Sequence, residues 1–120
     1  MKYLWTSLFV KDLEKSIDFY EKVTGLKVAR RFQGGPGTEI AFMQSEDTET
    51  KVELICNGHA PETKDGAGVS LGFLTSEIEA RQAEMKAAGY EPTDIVSPQP
   101  GTKFFFIKDP DGLAVQFVEE

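Results

Sequence analysis

Cysteine is nearly absent from this 120-residue chain: Cys56 is the single copy, so no internal disulfide can staple the fold. Histidine is as scarce. His59 stands alone in Asn57-Gly58-His59-Ala60-Pro61, a loop composition in which an exposed surface residue competes with a catalytic one. Basic residues are outnumbered, 13 Lys plus Arg against 20 Asp plus Glu, for a net charge of −7. Charge repulsion therefore argues against nucleic acid or an anionic membrane as a partner. No apolar run approaches the roughly 20 residues of a membrane span. Met1-Lys2-Tyr3 leads into patterned sequence without the apolar core of a signal, and the expected compartment is the cytoplasm.

What the chain does contain is a pattern used twice. In the first copy Leu8-Phe9-Val10 ends a strand and Asp12 is placed to cap. Leu13, Ile17, Tyr20 and Val23 then recur at helical spacing until Gly25 stops the helix. About 65 positions on, Leu71-Gly72-Phe73-Leu74 forms a strand and Ser76 with Glu79 makes a capping-box pattern. Ile78, Gln82, Met85 and Ala88 supply the inward stripe before Gly89. Each helix is followed by three strand-like runs: Leu26 to Phe32, Glu39 to Ser45 and Lys51 to Cys56, then Tyr90 to Val96, Lys103 to Lys108 and Leu113 to Val118. Gly34-Gly35-Pro36-Gly37, Ser97-Pro98-Gln99-Pro100-Gly101 and Asp109-Pro110-Asp111-Gly112 are turn chemistry between them. The fold class expected is α+β, two tandem βαβββ modules over residues 1–56 and 68–120, joined by a linker over 57–67. At this length they make one domain.

With these landmarks the chain resembles the glyoxalase, bleomycin-resistance and extradiol-dioxygenase superfamily over essentially its whole length. The resemblance is carried by Lys11-Asp12-Leu13-Glu14-Lys15-Ser16-Ile17-Asp18-Phe19-Tyr20 with Gly25-Leu26, and by the closing Phe106 to Glu119 segment with its Asp109-Pro110-Asp111-Gly112 turn. The first of these is similar to bacterial glyoxalase I. It implies an open, barrel-like sheet around a small-molecule cavity and, in many relatives, a homodimer. In the metal-using members four cavity positions hold the ion, His or Gln, Glu, His and Glu in glyoxalase I. Carried onto this sequence they are Trp5, Glu53, Ser70 and Gln116, and Glu53 alone matches. An indole N–H has no lone pair to donate, a serine hydroxyl is a poor neutral ligand, and a Gln carbonyl is weak without anionic neighbours. No metal and no other cofactor is therefore expected.

Strand alternation extends the implied cavity. Glu53 brings Lys51 and Ile55 with it, Trp5 brings Ser7 and Phe9, Ser70 brings Gly72 and Leu74, and Gln116 brings Ala114 and Val118. Val52, Leu54 and Cys56 face the helix instead, where a free cysteine behaves as a small buried hydrophobe unless its thiol is reactive. The ligand-binding set is thus Trp5, Ser7, Phe9, Glu53, Ile55, Ser70, Gly72, Leu74, Gln116 and Val118, suited to a small apolar or planar molecule. Trp5 is either an aromatic platform or a filler of core volume. Glu53 is a general base, an anchor for a cation, or a relic hydrogen-bonded to Gln116. Arg30 and Arg31 either meet an anionic tail or form a solvated strand edge. Gln82, where an aliphatic residue would fit, marks a loose helix or a subunit contact. Two functions follow: a metal-independent small-molecule binding protein, or a lyase or isomerase resembling glyoxalase I in which Glu53 moves a proton.

Overall fold

The computed structural model describes residues 1–60 and 69–120, and the chain divides into two compact units, Met1–Glu62 and Thr63–Glu120. Most of the expected linker lies outside the described residues. In the first unit β1 (Trp5–Phe9), β2 (Lys27–Gln33), β3 (Glu39–Gln44) and β4 (Lys51–Cys56) form an open sheet in the order β1-β4-β3-β2. β1 runs parallel to β4, and the other pairs are antiparallel. The helix α1 (Leu13–Phe19) crosses over β3 and β4 and buries Leu13, Ile17 and Phe19 against Ala41, Met43, Val52 and Leu54.

The Asp12 cap expected from the sequence is present: its Oδ1 accepts the Lys15 backbone N–H at 3.1 Å, satisfying one of the orphan donors of the first turn. The far end of the helix differs from a plain α-helix. Tyr20–Thr24 forms a π-turn in which the Thr24 hydroxyl donates to the Tyr20 carbonyl at 2.6 Å. Tyr20 and Val23 are buried there, and Gly25 then reverses the chain at φ +77°, a conformation that penalises any Cβ.

The second unit repeats the plan with β5 (Ser70–Leu74), α2 (Ile78–Ala87), β6 (Val96–Gln99), β7 (Thr102–Lys108) and β8 (Ala114–Glu119), ordered β5-β8-β7-β6. Together the units are α+β with two four-stranded mixed sheets. The core of the second unit is Ile78 and Met85 from α2 over Phe105, Ile107, Val115 and Phe117, with Phe105 and Phe117 stacked at 5.1 Å.

Four expectations fail in this unit. The capping box does not form: Ser76 is not the cap, Glu77 enters the helix at φ +52° without a side-chain bond, and the Ile78 N–H is satisfied by Glu119 Oε2 at 2.9 Å from β8. Ala88 is exposed, so the inward stripe shortens to Ile78 and Met85, while Gln82 donates its amide to the Thr93 carbonyl at 2.8 Å. That bond holds the 90–95 segment to the helix and explains why a polar residue sits in the stripe. Tyr90 to Val96 is not a strand: the Thr93 N–H is taken by the Phe106 carbonyl and the Thr93 hydroxyl by the Phe106 N–H, which leaves β6 to start only at Val96. Finally Ser97, Pro98 and Gln99 belong to β6 rather than to a loop. Proline is tolerated because β6 is an edge strand whose register with β7 slips between Val96 and Gln99.

Candidate functional site

Alternation divides the first sheet into a helix face and an opposite face, and the register identifies who shares the latter. Ser7 lies opposite Glu53, Glu53 opposite Phe42, and Phe42 opposite Arg30, forming one row across all the strands. The neighbouring row is Phe9, Ile55, Ile40 and Phe32. Glu53 is half-buried and its Oε1 accepts the Ser7 hydroxyl at 2.6 Å. The partner that a part-buried carboxylate requires is thus Ser7 across β1 and β4. Trp5 is 42% exposed and meets Phe42 edge-on, ring centroids 5.2 Å apart, and Phe42 stacks near Phe32 at 6.2 Å. Trp5 is therefore a partly open aromatic surface, continuous with Phe42 and Phe32, rather than a core residue. Phe9, at 44% exposure, extends it beside Ile55.

In the second unit Ser70, Gly72 and Leu74 of β5 lie opposite Ala114, Gln116 and Val118 of β8, all on the face away from α2. Leu74 is exposed, and Gln116 and Val118 are half-buried. Space beside Gly72 is filled only by the Gln116 side chain, whose Oε1 would lie 3.6 Å from an added Cβ. Phe104 and Phe106 share this face through their register with Val118 and Gln116 and meet edge-on at 5.6 Å. This face carries no acid among these residues, so the titratable chemistry of the candidate set resides in the first unit.

Sequence reasoning missed Phe32, Ile40, Phe42, Phe104 and Phe106. Runs such as Ile40-Ala41-Phe42-Met43 are apolar on both faces, so a period of two has nothing to distinguish; only the pairing register with β4 assigns them. Cys56 faces the helix side as expected but is half-exposed rather than buried, and its thiol points at the Lys11 carbonyl, 3.6 Å away. It borders a shallow concavity of about 410 Å³ with Lys11, Asp12, Glu14, Thr38 and Glu39. That hollow contains none of the ligand-binding candidates and is dominated by solvated charge. His59 is exposed in its loop, its backbone N–H bonded to Asn57 Oδ1 at 2.9 Å.

A family model described as the Glyoxalase/Bleomycin resistance protein/Dioxygenase superfamily matches residues 2–117. The chain belongs to that superfamily. The lactoylglutathione lyase of Escherichia coli O157:H7 is 30% identical to this glyoxalase-superfamily chain over 139 residues, covering 100% of it and 93% of the lyase. The uncharacterized protein YwbC of Bacillus subtilis (strain 168) is 33% identical over 118 residues, 95% of this chain and 94% of that one. Among solved structures, the trypanothione-dependent glyoxalase I of Leishmania major superposes with a TM-score of 0.81 at 25% identity, covering 100% of this chain and 87% of that one.

The metal of the metal-using members is poorly matched by the side chains at the positions that the resemblance assigns to it. Of the four positions that the resemblance assigns to the metal, only Glu53 offers a strong donor, and its Oε1 accepts the Ser7 hydroxyl. Among the described residues no group of three or more His, Cys, Asp or Glu side chains could hold an ion. Among the described residues no helix is long and apolar enough to cross a membrane.

Proposed function

We propose that the chain is a metal-independent small-molecule binding protein. The observation that carries this reading is the first sheet's open face: Trp5, Phe42 and Phe32 form a continuous aromatic surface beside a carboxylate already occupied by a serine hydroxyl. Aromatic side chains give a flat ligand a large contact area at little entropic cost, and stacked or edge-on pairs add about 0.5–1.5 kcal/mol each beyond burial. Trp5, Ser7, Phe9, Glu53 and Ile55 are the proposed contacts from this unit. Ser70, Gly72, Leu74, Gln116 and Val118 make up the corresponding proposed face of the second unit, which supplies apolar and neutral polar surface. A homodimer in the cytoplasm is part of the same proposal, and light scattering that gives a monomer at high micromolar concentration would remove its oligomeric part.

The lyase reading is supported by the full-length similarity to lactoylglutathione lyase and by Glu53 at the position that the resemblance assigns to a ligand glutamate. Its difficulty is chemical. Abstracting a proton next to a carbonyl builds an enediolate, and a neutral serine and a neutral glutamine are weak replacements for a divalent cation. Metal analysis of protein purified without chelator, combined with assay of the methylglyoxal–glutathione hemithioacetal, decides between the two. The binding reading expects no stoichiometric Ni²⁺, Zn²⁺ or Fe²⁺ and no enzymatic turnover. One equivalent of metal lost with Glu53→Gln, or chelator-sensitive turnover by the unmodified chain, would replace the binding reading with the enzyme.

A further inference from the structure

Adjacent arginines in β2 serve opposite faces of the sheet. Arg31 lies opposite Ala41 on the helix side, where its guanidinium is bound by Glu14 and Glu39 and its pKa is raised, chiefly by the hydrogen bond to Glu14. Arg30 lies opposite Phe42, on the aromatic face. The irregularity between Val28 and Arg30 causes this: Val28 pairs with Met43 on the helix side, and simple alternation would have left Arg30 there too. A bulge that re-aims one side chain is a common device beside functional sites. The Arg30 guanidinium carbon rests 4.4 Å from the centroid of the Phe32 ring, and among the described residues no carboxylate or carbonyl pairs with it.

The charge of this face runs against that of the chain. The net charge is −7, yet by register Lys27, Arg30 and Lys51 share the face with Glu53 as the only strand acid. Along the row Arg30–Phe42–Glu53–Ser7 a free cation stands at one end, an aromatic ring in the middle, and a carboxylate toward the other end. Strands spaced about 4.8 Å apart put roughly 10 Å between the Arg30 and Glu53 positions.

We propose that Arg30 receives the anionic group of a planar aromatic ligand laid over Phe42 and beside Trp5, so that the ligand class is an aromatic carboxylate. This rests on the reading of the face as a ligand surface. A guanidinium is a planar fork that matches a carboxylate with two parallel hydrogen bonds, and one already stacked on a ring loses little freedom in making them. Glu53 fixes the polarity, because it repels an anion at its own end and accepts a hydrogen bond from a hydroxyl there. The ligand is a bicyclic-sized acid with a donor opposite its carboxylate.

The test uses 6-hydroxy-2-naphthoate and its uncharged 2-carboxamide, read by the indole N–H resonance of the full chain's one tryptophan, Trp5. The acid is expected to shift that resonance saturably and to bind roughly tenfold or more tightly than the amide. Arg30→Gln should abolish the preference for the acid and leave amide binding in place. Arg30→Lys should retain part of it, and Arg31→Gln should leave it intact. A dispersed spectrum verifies that each variant is folded. Equal affinity for acid and amide, or a preference that survives Arg30→Gln, overturns the assignment of Arg30 while leaving the aromatic face as a ligand surface. If neither compound moves the Trp5 resonance at millimolar concentration, the ligand-surface reading falls and takes this proposal with it.

Discussion

The two units share one topology and divide the work differently. In the first, α1 is capped by its own Asp12 and, with the π-turn that follows it, lays a broad stripe of Leu13, Ile17, Phe19, Tyr20 and Val23 into the core. In the second, α2 buries only Ile78 and Met85 and takes its N-terminal acceptor from Glu119 on the last strand. The first helix is specified locally, the second by tertiary contact. The open faces differ as well: the first carries cations, an acid and an aromatic strip, and the second is apolar and neutral among its candidates. The units share a backbone plan because strand pairing and helix packing are needed in both, whereas the residues facing away from the helices differ in chemistry.

The largest expected effect contrasts the two faces of a sheet. Phe105→Ala removes a fully buried ring stacked on Phe117 and is expected to cost about 3–5 kcal/mol. Phe42→Ala, on the half-buried open face, should cost well under half as much and should weaken ligand binding instead. Urea unfolding with a ligand titration checks the pair; a comparable stability loss for Phe42→Ala would make that face core rather than site.

Next comes the turn before the last strand. Asp109 is buried, its Oδ1 accepts the N–H groups of Asp111 and Leu113 at 2.9 Å each, and Gly112 turns at φ +89°. Asp109→Ala would leave buried donors unpaired and should destabilise by about 1–3 kcal/mol. The Gly34–Gly37 turn of the first unit closes through backbone bonds alone, Gly34 to Thr38 and Thr38 to Gly35. Thr38→Ala should therefore be nearly silent in the same denaturation experiment.

The helix entries give a smaller and sharper contrast. Asp12→Ala should cost about 1 kcal/mol as a lost cap, while Ser76→Ala should cost almost nothing because Ser76 is not the cap. Glu119→Gln tests the replacement: the charged acceptor for the Ile78 N–H becomes neutral, and amide exchange at Ile78 should accelerate. If Ser76→Ala proves as costly as Asp12→Ala, the second helix is capped as the first one is.

The smallest effect is electrostatic. Glu79 and Lys103 form an exposed pair at 2.7 Å; the hydrogen bond from Lys103 holds the Glu79 carboxyl below its usual range, and the same bond raises Lys103. The carboxylate's contribution is complete above the ordinary Glu range and is lost as pH falls through its lowered value. Lysine's is complete below the ordinary Lys range and is lost as pH rises through its raised value. Lys103→Met should remove a small acid-side step in Tm that salt also removes, since surface pairs are screened.

Much of this was legible in the sequence. Gly25 marked the end of the first helical segment, Lys51 to Cys56 matched β4 residue for residue, and the resemblance, extended by strand alternation, put Glu53, Ser7 and Trp5 on one face. Errors clustered where a distant partner overrode local preference. Ser76 and Glu79 have the composition of a capping box, yet Glu119 from β8 reached the Ile78 N–H first. Tyr90 to Val96 has strand composition, but Thr93 binds both backbone groups of Phe106 and leaves no ladder for that stretch.

The sequence by itself determined the duplicated α+β plan, because this depends on periodicity and turn chemistry, which are properties of the chain read in order, and the resemblance of its motifs pointed to the family. The tertiary structure alone decided that Ser7 is the partner of Glu53, that Phe42 and Phe32 join Trp5, and that Arg30 and Arg31 part to opposite faces. Each of these depends on inter-strand register and on a single bulge, and a one-residue slip in pairing exchanges the faces of a strand without changing any local preference.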